Sequence, residues 1–283
     1  MDYQWYPGHM TKARRRMQEN LKLVDLVIEL TDARAVMSGR NPDIDALAQG
    51  KARILVLTKA DLADEAGNQA WLEWFRSKKL CAAAINARTG SVMRQIKPLI
   101  LQACAEKIER DRKRGIVNRP IRAMIAGIPN VGKSTFINSF AGRSSAKTGN
   151  KPGVTRGEQW IRPDRSVELL DTPGLLWPKF EDQEVGRRLA LTGTIRDELL
   201  DPGELSEYLI TYLMAQYPGT LEKRYAIREQ ADASRVLEDT AKSRALLLAG
   251  GEPDQMRAAR AVIDDFRTGK LGRISLEFPD TKG

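Results

Sequence analysis

The sequence predicts an α/β domain with a mostly parallel sheet flanked by helices, followed by an all-helical domain. In the first half of the chain, short apolar runs alternate with amphipathic helical stretches, which is typical of βαβ units. Beyond Trp177 and Pro178 the strand patterns stop and only helical patterns follow. We therefore expect one domain over residues 1–178 and a helical domain over residues 179–283.

Apolar runs bounded by turn residues mark the predicted strands. They lie within residues 23–33, 53–58, 81–86, 121–127 and 166–171, the third being the weakest pattern. Helical patterns occupy residues 65–79 and 91–108 in the first half. A charged, mostly basic stretch at 106–120 ends in a proline, which indicates a surface connector.

The overall composition favours a soluble protein with a polyanionic partner over a membrane or secreted protein. Lys and Arg outnumber Asp and Glu by 46 to 37, and this net charge of +9 suits a polyanionic partner such as nucleic acid. No apolar run is long enough to span a bilayer, and the N-terminus lacks a signal-peptide core. Cys81 and Cys104 lie in apolar sequence without metal-ligand spacing, so we expect reduced thiols and a cytoplasmic protein.

The stretch GIPNVGKS, residues 127–134, predicts a phosphate loop because it follows a strand and precedes a helix. Its two glycines let successive N–H groups point at a phosphate, and the helix N-terminus adds its dipole. Lys133 would reach the β- and γ-phosphates, and the Ser134 hydroxyl would bind Mg²⁺. A chance glycine-rich turn is the alternative. The expected nucleotide contacts are Pro129, Asn130, Val131, Gly132, Lys133, Ser134 and Thr135.

The stretch DTPG, residues 171–174, follows a later strand, where a second metal motif is expected. Asp171 would hold Mg²⁺ through a water molecule, and the Gly174 amide would bond the γ-phosphate. Thr155 lies in the polar loop between the two motifs and is the candidate for completing the Mg²⁺ shell. Thr148 is the alternative candidate, and either could be an ordinary loop threonine.

A guanine-recognition motif stands upstream of the phosphate loop, at Thr58-Lys59-Ala60-Asp61. The Asp61 carboxylate would accept from the guanine N1–H and amino group, and the stem of Lys59 would cover the ring. Thr58 replaces the commoner Asn, which weakens one expected contact with the phosphate loop. An ordinary turn with a surface acid is the alternative, and Asp61 argues against an ATPase or kinase. A second base loop is expected at Asn86, Ala87 and Arg88.

The motif order is base motif, base loop, phosphate loop, threonine and DTPG, whereas an ordinary GTPase has the phosphate loop first. The same sheet results if the old termini are joined, which residues 106–120 would do. The sequence therefore predicts a circularly permuted phosphate-loop GTPase that binds GTP and GDP.

This order, the opening WYPGHMTKARR, the PNVGKS loop and the ending DFRTGKLGRISLE resemble the bacterial ribosome biogenesis GTPase A (YlqF/RbgA-like) family over essentially the whole chain. The resemblance implies a GTPase that acts late in assembly of the large (50S) ribosomal subunit and is stimulated by that particle. It also implies a C-terminal domain similar to RNA-binding antiterminator modules. We expect hydrolysis to time release from the particle, and the protein to be monomeric off the ribosome.

His9 is the chain's only histidine, and it is the candidate for orienting the attacking water. Leu175 and Leu176 follow DTPG, where an ordinary GTPase usually has a glutamine. A neutral imidazole can align a water, and the family resemblance implies that role for His9. The alternative is that His9 contacts RNA or completes a turn. Basic neighbours expected to bind RNA phosphates are Lys12, Arg14, Arg15 and Arg16.

Two further expectations concern cations and RNA. Asn130 is a candidate ligand for K⁺ beside the phosphates, although it could equally brace the loop. Arg267, Lys270 and Arg273 lie near the C-terminus around an apolar stripe and could bind RNA, although such a pattern usually marks a solvated face. A rival hypothesis is an RNA-binding scaffold that uses GTP only as a structural ligand. The missing glutamine favours that rival, whereas His9 and Asn130 oppose it.

Overall fold

The computed structural model describes residues 10–89, 92–142, 159–174, 182–230 and 232–280. These residues divide into two compact units. The sheet unit contains the described residues up to Gly174 together with residues 275–280, and the helical unit contains those of 182–274. No helix in the described ranges is long and apolar enough to cross a membrane.

Within the described residues, the sheet has six strands in the order β3-β2-β1-β4-β6-β5. Five strands are parallel, and β5 runs antiparallel to β6 at the edge. The strands are β1 Leu26–Asp32, β2 Ala52–Thr58, β3 Cys81–Ala84, β4 Ile121–Gly127, β5 Gln159–Ile161 and β6 Val167–Asp171. All five predicted strands are present. The sequence did not predict β5, because three residues that are mostly exposed give no apolar run.

In the described part of the sheet unit, one helix precedes the first strand and the others lie between strands. They are α1 Met10–Leu21, α2 Pro42–Leu47, α3 Glu65–Ser77, α4 Val92–Ala103, α5 Ala105–Lys113 and α6 Lys133–Ala141. The helix predicted over residues 91–108 is therefore two helices that meet at Cys104. The second of them, α5, buries no residue, in keeping with a charged connector that joins β3 to β4.

Apolar side chains from helices and strands form the core of the sheet unit. Met17 and Leu21 of α1 pack with Val27 of β1 and Met124 of β4. Trp71 and Phe75 of α3 pack with Leu55 and Leu57 of β2. Helices α4 and α6 contact each other, and α4 also contacts β2 and β3. The central strands are thus buried, as expected for a parallel sheet covered by helices.

The C-terminal residues 275–280, which we call the tail, differ from the sequence prediction. The sequence placed them in the helical domain, whereas the structure places them in the sheet unit. The backbone N–H of Leu276 donates to the carbonyl of Arg34 at 2.7 Å, and Leu276 is buried. The tail forms neither a helix nor a strand, and it buries Leu276 against the sheet unit. The other predicted boundary, near residue 178, lies outside the described residues and stays a prediction.

The helical unit packs its longest helices against each other. Its helices are α7 Gln183–Leu191, α8 Pro202–Gln216, α9 Thr220–Tyr225, α10 Ala233–Ser243 and α11 Gln255–Thr268. Helix α8 contacts α10 and α11. Aspartate side chains cap the N-termini of four of these helices, where they satisfy free N–H groups. The four caps are Asp182, Asp201, Asp232 and Asp254.

Asp265 of α11 is a buried carboxylate at the centre of a polar cluster. Its Oδ2 accepts hydrogen bonds from Arg224 Nε at 2.8 Å and from the Tyr225 hydroxyl at 3.1 Å. Lys270 Nζ lies 3.4 Å from Oδ1. Burial alone would raise the pKa of Asp265, but the bond from Arg224 and the nearby positive charges hold the pKa below its usual value.

Replacing Asp265 by Asn should destabilise the helical unit. The amide keeps the shape, but it loses the charge. If its carbonyl oxygen accepts from Arg224 and Tyr225, its N–H donors face the ammonium of Lys270. We expect the free energy of unfolding to fall by about 2 kcal/mol. Urea unfolding of the full chain, followed by far-UV circular dichroism, measures this change.

Asp264→Asn is the matched control, because it makes the same charge change at the exposed neighbouring position. It should leave the free energy of unfolding within about 0.5 kcal/mol of the unmodified chain. Equal stability of the two variants would show that the Asp265 cluster contributes nothing specific to folding.

Candidate nucleotide site

The turn between β4 and α6 has the backbone geometry of a phosphate loop. Gly127 has φ +157° and Gly132 has φ +99°, and Asn130 between them is left-handed with φ 58°. A Cβ on Gly127 would lie 2.8 Å from the carbonyl oxygen of Leu30, so only glycine fits there. Helix α6 begins at Lys133 without a side-chain cap, which leaves its first N–H groups available to an anion.

Lys133 is buried at the start of α6 and folds back over its own loop. Its ammonium donates to the carbonyl oxygens of Gly127 at 3.0 Å and Ile128 at 2.7 Å. Burial lowers the pKa of Lys133 to about 8, although the nearby carboxylate of Asp171 opposes this shift. A buried cation beside the loop is the group that a polyphosphate requires.

Asp171 ends β6 directly beside the last residues of β4, since it pairs with Ile125 in the sheet. Burial raises the pKa of Asp171 to about 6, in spite of Lys133 and the N–H of Thr172. Among the described residues, Asp171 Oδ1 is buried and accepts no hydrogen bond. An unsatisfied buried carboxylate oxygen at this sheet edge, together with the half-buried Ser134, fits a Mg²⁺ ion.

Gly174 brings the end of the DTPG segment against the phosphate loop. A Cβ on Gly174 would lie 2.8 Å from both Lys133 Nζ and the backbone nitrogen of Pro129. Any other residue would therefore displace the lysine or the loop. The Thr172 hydroxyl fixes the preceding turn by donating to the carbonyl of Ile125 at 2.7 Å. The DTPG segment therefore lies directly against the phosphate loop, and the role of the Gly174 amide stays a prediction.

The base motif is joined to the phosphate loop through Thr58. The Thr58 hydroxyl lies 2.6 Å from the carbonyl oxygen of Val131 and 3.0 Å from that of Thr31. A hydroxyl has one proton, so these two carbonyls share it, and the shorter distance favours Val131. The sequence predicts that Thr58, in place of the commoner Asn, weakens a contact with the phosphate loop. In the structure Thr58 makes a contact with this loop, through its hydroxyl.

Lys59 is held by a buried ion-pair cluster that the sequence did not predict. Its Nζ lies 2.8 Å from Asp32 Oδ2, and its backbone is left-handed with φ 54°. The buried guanidinium of Arg34 bonds both carboxylate oxygens of Asp32, at 2.9 and 2.8 Å. Burial acts to raise the pKa of Asp32, but Arg34 and Lys59 hold it well below its usual range. In the sequence, the only indication of this cluster is that an aspartate, Asp32, ends a mostly apolar predicted strand.

The turn that carries Asp61 lies beside the predicted second base loop. The Ala60 N–H donates to the carbonyl of Ile85 at 3.1 Å, and the Asn68 side-chain amide donates to the Ala60 carbonyl at 3.0 Å. Asn86 Oδ1 accepts from the backbone N–H of Arg88 at 2.9 Å, which shapes the second loop around the buried Ala87. The structure thus brings Asp61, which is exposed, to the same sheet edge as residues 86–88.

Several predicted residues fall outside the part of the chain that the structure describes. His9, Thr148 and Thr155 are among them, as are residues 175–177. Lys12, Arg14 and Arg16 belong to α1, but their side chains are outside the described part. Arg15 is exposed and bonds Glu19 one turn away at 3.1 Å. The roles assigned to these residues stay predictions.

Arg267 does not present a free guanidinium to RNA. It donates to the carbonyls of Ala190 at 2.8 Å and Leu191 at 3.0 Å, and it pairs with Asp197 at 2.8 Å. Only 18% of its side chain is exposed. These bonds tie the end of α11 to the end of α7, and the RNA contact of Arg267 stays a prediction. Lys270 and Arg273 are exposed, and their role stays a prediction.

The phosphate loop, the DTPG segment and the base motif meet at the carboxyl ends of β4, β6 and β2, although the base motif comes first in the chain. This arrangement defines a phosphate-loop GTPase with a circularly permuted strand order. Residues 122–237 match a family model described as a 50S ribosome-binding GTPase.

Relatives of known sequence and structure agree with this class. The chain is 45% identical to ribosome biogenesis GTPase A of Bacillus cereus, an alignment that covers 100% of this chain and 96% of that protein. The GNP-bound structure of YlqF from T. maritima has a TM-score of 0.65 at 27% identity, covering 95% of this chain and 99% of the other. The GDP-bound structure of TM YlqF gives 0.68 at 27% identity, covering 94% and 100%. The chain belongs to the ribosome biogenesis GTPase A family, and it is a GTPase.

Replacing Thr58 by Val should weaken binding of guanine nucleotides without changing the size of the side chain. The variant removes the hydroxyl that joins β2 to the phosphate loop and leaves the Val131 carbonyl without that donor. We expect an approximately fivefold rise in the Kd for GDP, the cost of about one hydrogen bond. Titration of the full chain with a fluorescent guanine nucleotide measures this change.

Thr211→Val is the control, since that hydroxyl is exposed on α8 and bonds only the carbonyl of Glu207 in its own helix. Thr58→Asn should retain nucleotide binding, because the amide can donate to the same carbonyl. A Kd unchanged in Thr58→Val would mean that the hydroxyl does not organise the site.

Proposed function

We propose that this GTPase binds GTP, hydrolyses it to GDP and acts as an assembly factor in late maturation of the large (50S) ribosomal subunit. The particle stimulates hydrolysis, and hydrolysis drives release. The observation that carries the proposal is the base motif, whose turn is bonded both to the phosphate loop and to the second base loop. The names of the B. cereus relative and of the matching family model support the ribosomal role.

Guanine recognition is assigned to the end of β2 and the loop after β3. The exposed carboxylate of Asp61 accepts from the guanine N1–H and exocyclic amino group, a pair of donors that adenine lacks. Asp32 fixes the ammonium of Lys59 at 2.8 Å, so the aliphatic stem of Lys59 has a defined path along which to cover the base. A backbone amide of the loop at residues 86–88 contacts the guanine O6.

The triphosphate is assigned to the loop at residues 129–135 and to the Gly174 amide. Lys133, now bonded to two loop carbonyls, is close enough to transfer its hydrogen bonds to phosphate oxygens. Ser134, Asp171 and Thr155 would hold Mg²⁺, which neutralises charge on the β- and γ-phosphates when bound. Asn130, with its left-handed backbone, is the candidate ligand for K⁺ beside the same phosphates.

The catalytic water is assigned to His9, because leucines follow DTPG where a glutamine is usual. Lys12 and Arg14–Arg16 follow His9 closely in the chain and suit RNA phosphates. Binding of ribosomal RNA to this basic segment would place His9 over the nucleotide, which links particle binding to hydrolysis. Lys270 and Arg273 are further candidates for RNA contacts. The proposal includes a cytoplasmic protein that is monomeric off the ribosome.

Replacing Asp61 by Asn should relax the preference for guanine. The amide cannot accept from both guanine donors, so the affinity for GDP should fall while that for ADP stays weak and nearly unchanged. We expect the ratio of the two Kd values to shrink by about a hundredfold. Competition of each nucleotide against a fluorescent guanine nucleotide measures the ratio.

The control for this experiment is Asp264→Asn, which makes the same charge change in the helical unit and should keep the ratio. A wild-type chain that bound ADP as tightly as GDP would contradict the guanine site. A preference that survived in Asp61→Asn would assign recognition to another group.

Replacing His9 by Ala should abolish stimulation of GTP turnover by large ribosomal subunits. We expect the stimulated rate of the variant to be about a hundredfold below that of the wild type, with GTP binding intact, because loss of a water-positioning group acts on the chemical step. Turnover is measured for both proteins, with and without purified subunits, in KCl.

The outcomes of this assay are distinct. Stimulation that survives His9→Ala would move His9 to an RNA-binding role, and absence of stimulation in the wild type would favour a GTP-dependent RNA-binding scaffold. Measuring GTP turnover of the wild type and of Asn130→Ala in both KCl and NaCl tests the proposed K⁺ site. The potassium site requires faster wild-type turnover in KCl and no such difference in the variant.

A further inference from the structure

The tail is buried against the sheet unit, although the chain reaches it only after the whole helical unit. Ser275 is 0% exposed, Leu276 is 2% exposed and Glu277 is 9% exposed. Surface loops and chain ends seldom bury a carboxylate unless it is hydrogen-bonded. The contacts of Glu277 therefore indicate what the tail does.

The Glu277 carboxylate binds the loop that follows β1. It accepts from the backbone N–H of Met37 at 2.8 Å and from the N–H of Ser38 at 3.1 Å, and the Ser38 hydroxyl also donates to it. Hydrogen bonds to a buried charged acceptor are among the stronger ones in proteins. Glu277 thus fixes the conformation of residues 37 and 38.

The same loop begins beside the base motif, because Asp32 pairs with Thr58 in the sheet and the Ala33 N–H donates to the Thr58 carbonyl at 2.9 Å. The Leu276 N–H donates to the carbonyl of Arg34 at 2.7 Å. The side chain of Arg34 holds Asp32, and Asp32 holds the ammonium of Lys59. The tail is therefore linked to Lys59 through Arg34, whose backbone carbonyl accepts from the tail and whose side chain binds Asp32.

The tail also binds the other side of the base motif, at the start of α3. Ser275 Oγ accepts from the backbone N–H of Asp64 at 3.1 Å, and Asp64 caps α3 by accepting from Gly67 at 2.9 Å. The indole N–H of Trp71 donates to the carbonyl of Glu277 at 3.2 Å. Phe278 covers Gly67 so closely that a Cβ there would lie 3.0 Å from the ring.

In the chain, the turn at residues 58–61 lies between the two segments that the tail binds, the loop after β1 and the start of α3. We propose that the tail is a positioning element for guanine recognition, with Glu277 as its principal anchor, so that residues from the far end of the chain set the geometry of Lys59 and Asp61. This inference rests on the proposed guanine site. A small displacement of a recognition group is costly to binding, because hydrogen bonds to the base depend on distance and angle.

The test compares GDP with inosine diphosphate, which lacks the exocyclic amino group that Asp61 accepts from. Both nucleotides compete against a fluorescent guanine nucleotide for the full chain, its Glu277→Ala variant and its Glu277→Gln variant. We expect Glu277→Ala to weaken binding of GDP about tenfold and binding of inosine diphosphate much less. A tenfold change lies within the usual range of coupling between linked sites. Glu277→Gln keeps one carbonyl acceptor and should fall between wild type and Glu277→Ala.

Asp280→Asn is the matched control, because it makes the same charge change as Glu277→Gln at an exposed tail position. It should leave both affinities unchanged. If Glu277→Ala lacks the far-UV circular dichroism of the wild type, Glu277→Gln and Ser275→Ala carry the test, and a reduced preference for GDP in both supports the proposal.

Other outcomes separate the inference from the proposed function. Affinities for the two nucleotides that fall by the same factor in the Glu277 variants would make the tail a purely structural brace and overturn the inference. A wild-type chain with no preference for GDP over inosine diphosphate or ADP would overturn the guanine site itself. A preserved GDP preference in every tail variant, with wild-type discrimination intact, would overturn the inference alone.

Discussion

The hydrogen bond from Thr58 to the carbonyl of Val131 is the interaction on which the nucleotide site depends. It joins the strand end that carries the base motif to the loop that carries the phosphate groups, and the two residues are 73 positions apart. Strand β1 lies between β2 and β4, so the sheet alone holds the two motifs at the right separation but does not fix one loop against the other. The buried Thr58 hydroxyl makes such a connection, and this bond does not depend on which of the two motifs comes first in the chain.

Two charged side chains near this hydrogen bond, Lys133 and Asp171, are buried without enough opposite charge around them to offset burial. Burial lowers the pKa of Lys133 to about 8 and raises that of Asp171 to about 6, so each group is more costly to keep charged than it would be in water. The Asp32 carboxylate, which has two cationic partners, shows the opposite shift. A bound phosphate would stabilise the charged form of Lys133, and a bound metal ion would stabilise the charged form of Asp171.

Much of the sheet and of the nucleotide site could be predicted, because both depend on local patterns. Buried parallel strands are continuous apolar runs, and phosphate loops need glycines at fixed spacing. The Asp32–Arg34–Lys59 cluster could not be predicted, because it forms only when β1 and β2 pair and bring their ends together. The bonds from Arg267 to carbonyls of α7 could not be predicted either, because α7 and α11 meet only in the folded helical unit.

The tail and the permuted order together determine where the helical unit is inserted in the chain. In the chain, the helical unit begins shortly after Gly174, whose backbone approaches Lys133, and it is followed directly by Ser275, which bonds the start of α3. One covalent end of the helical unit therefore starts at the phosphate side of the site and the other stops at the base side. In a GTPase with the ordinary order the corresponding strand ends are internal connections of the domain. In this chain both sides of the candidate nucleotide site are continuous in sequence with the helical unit, an order that suits the assembly-factor role proposed above.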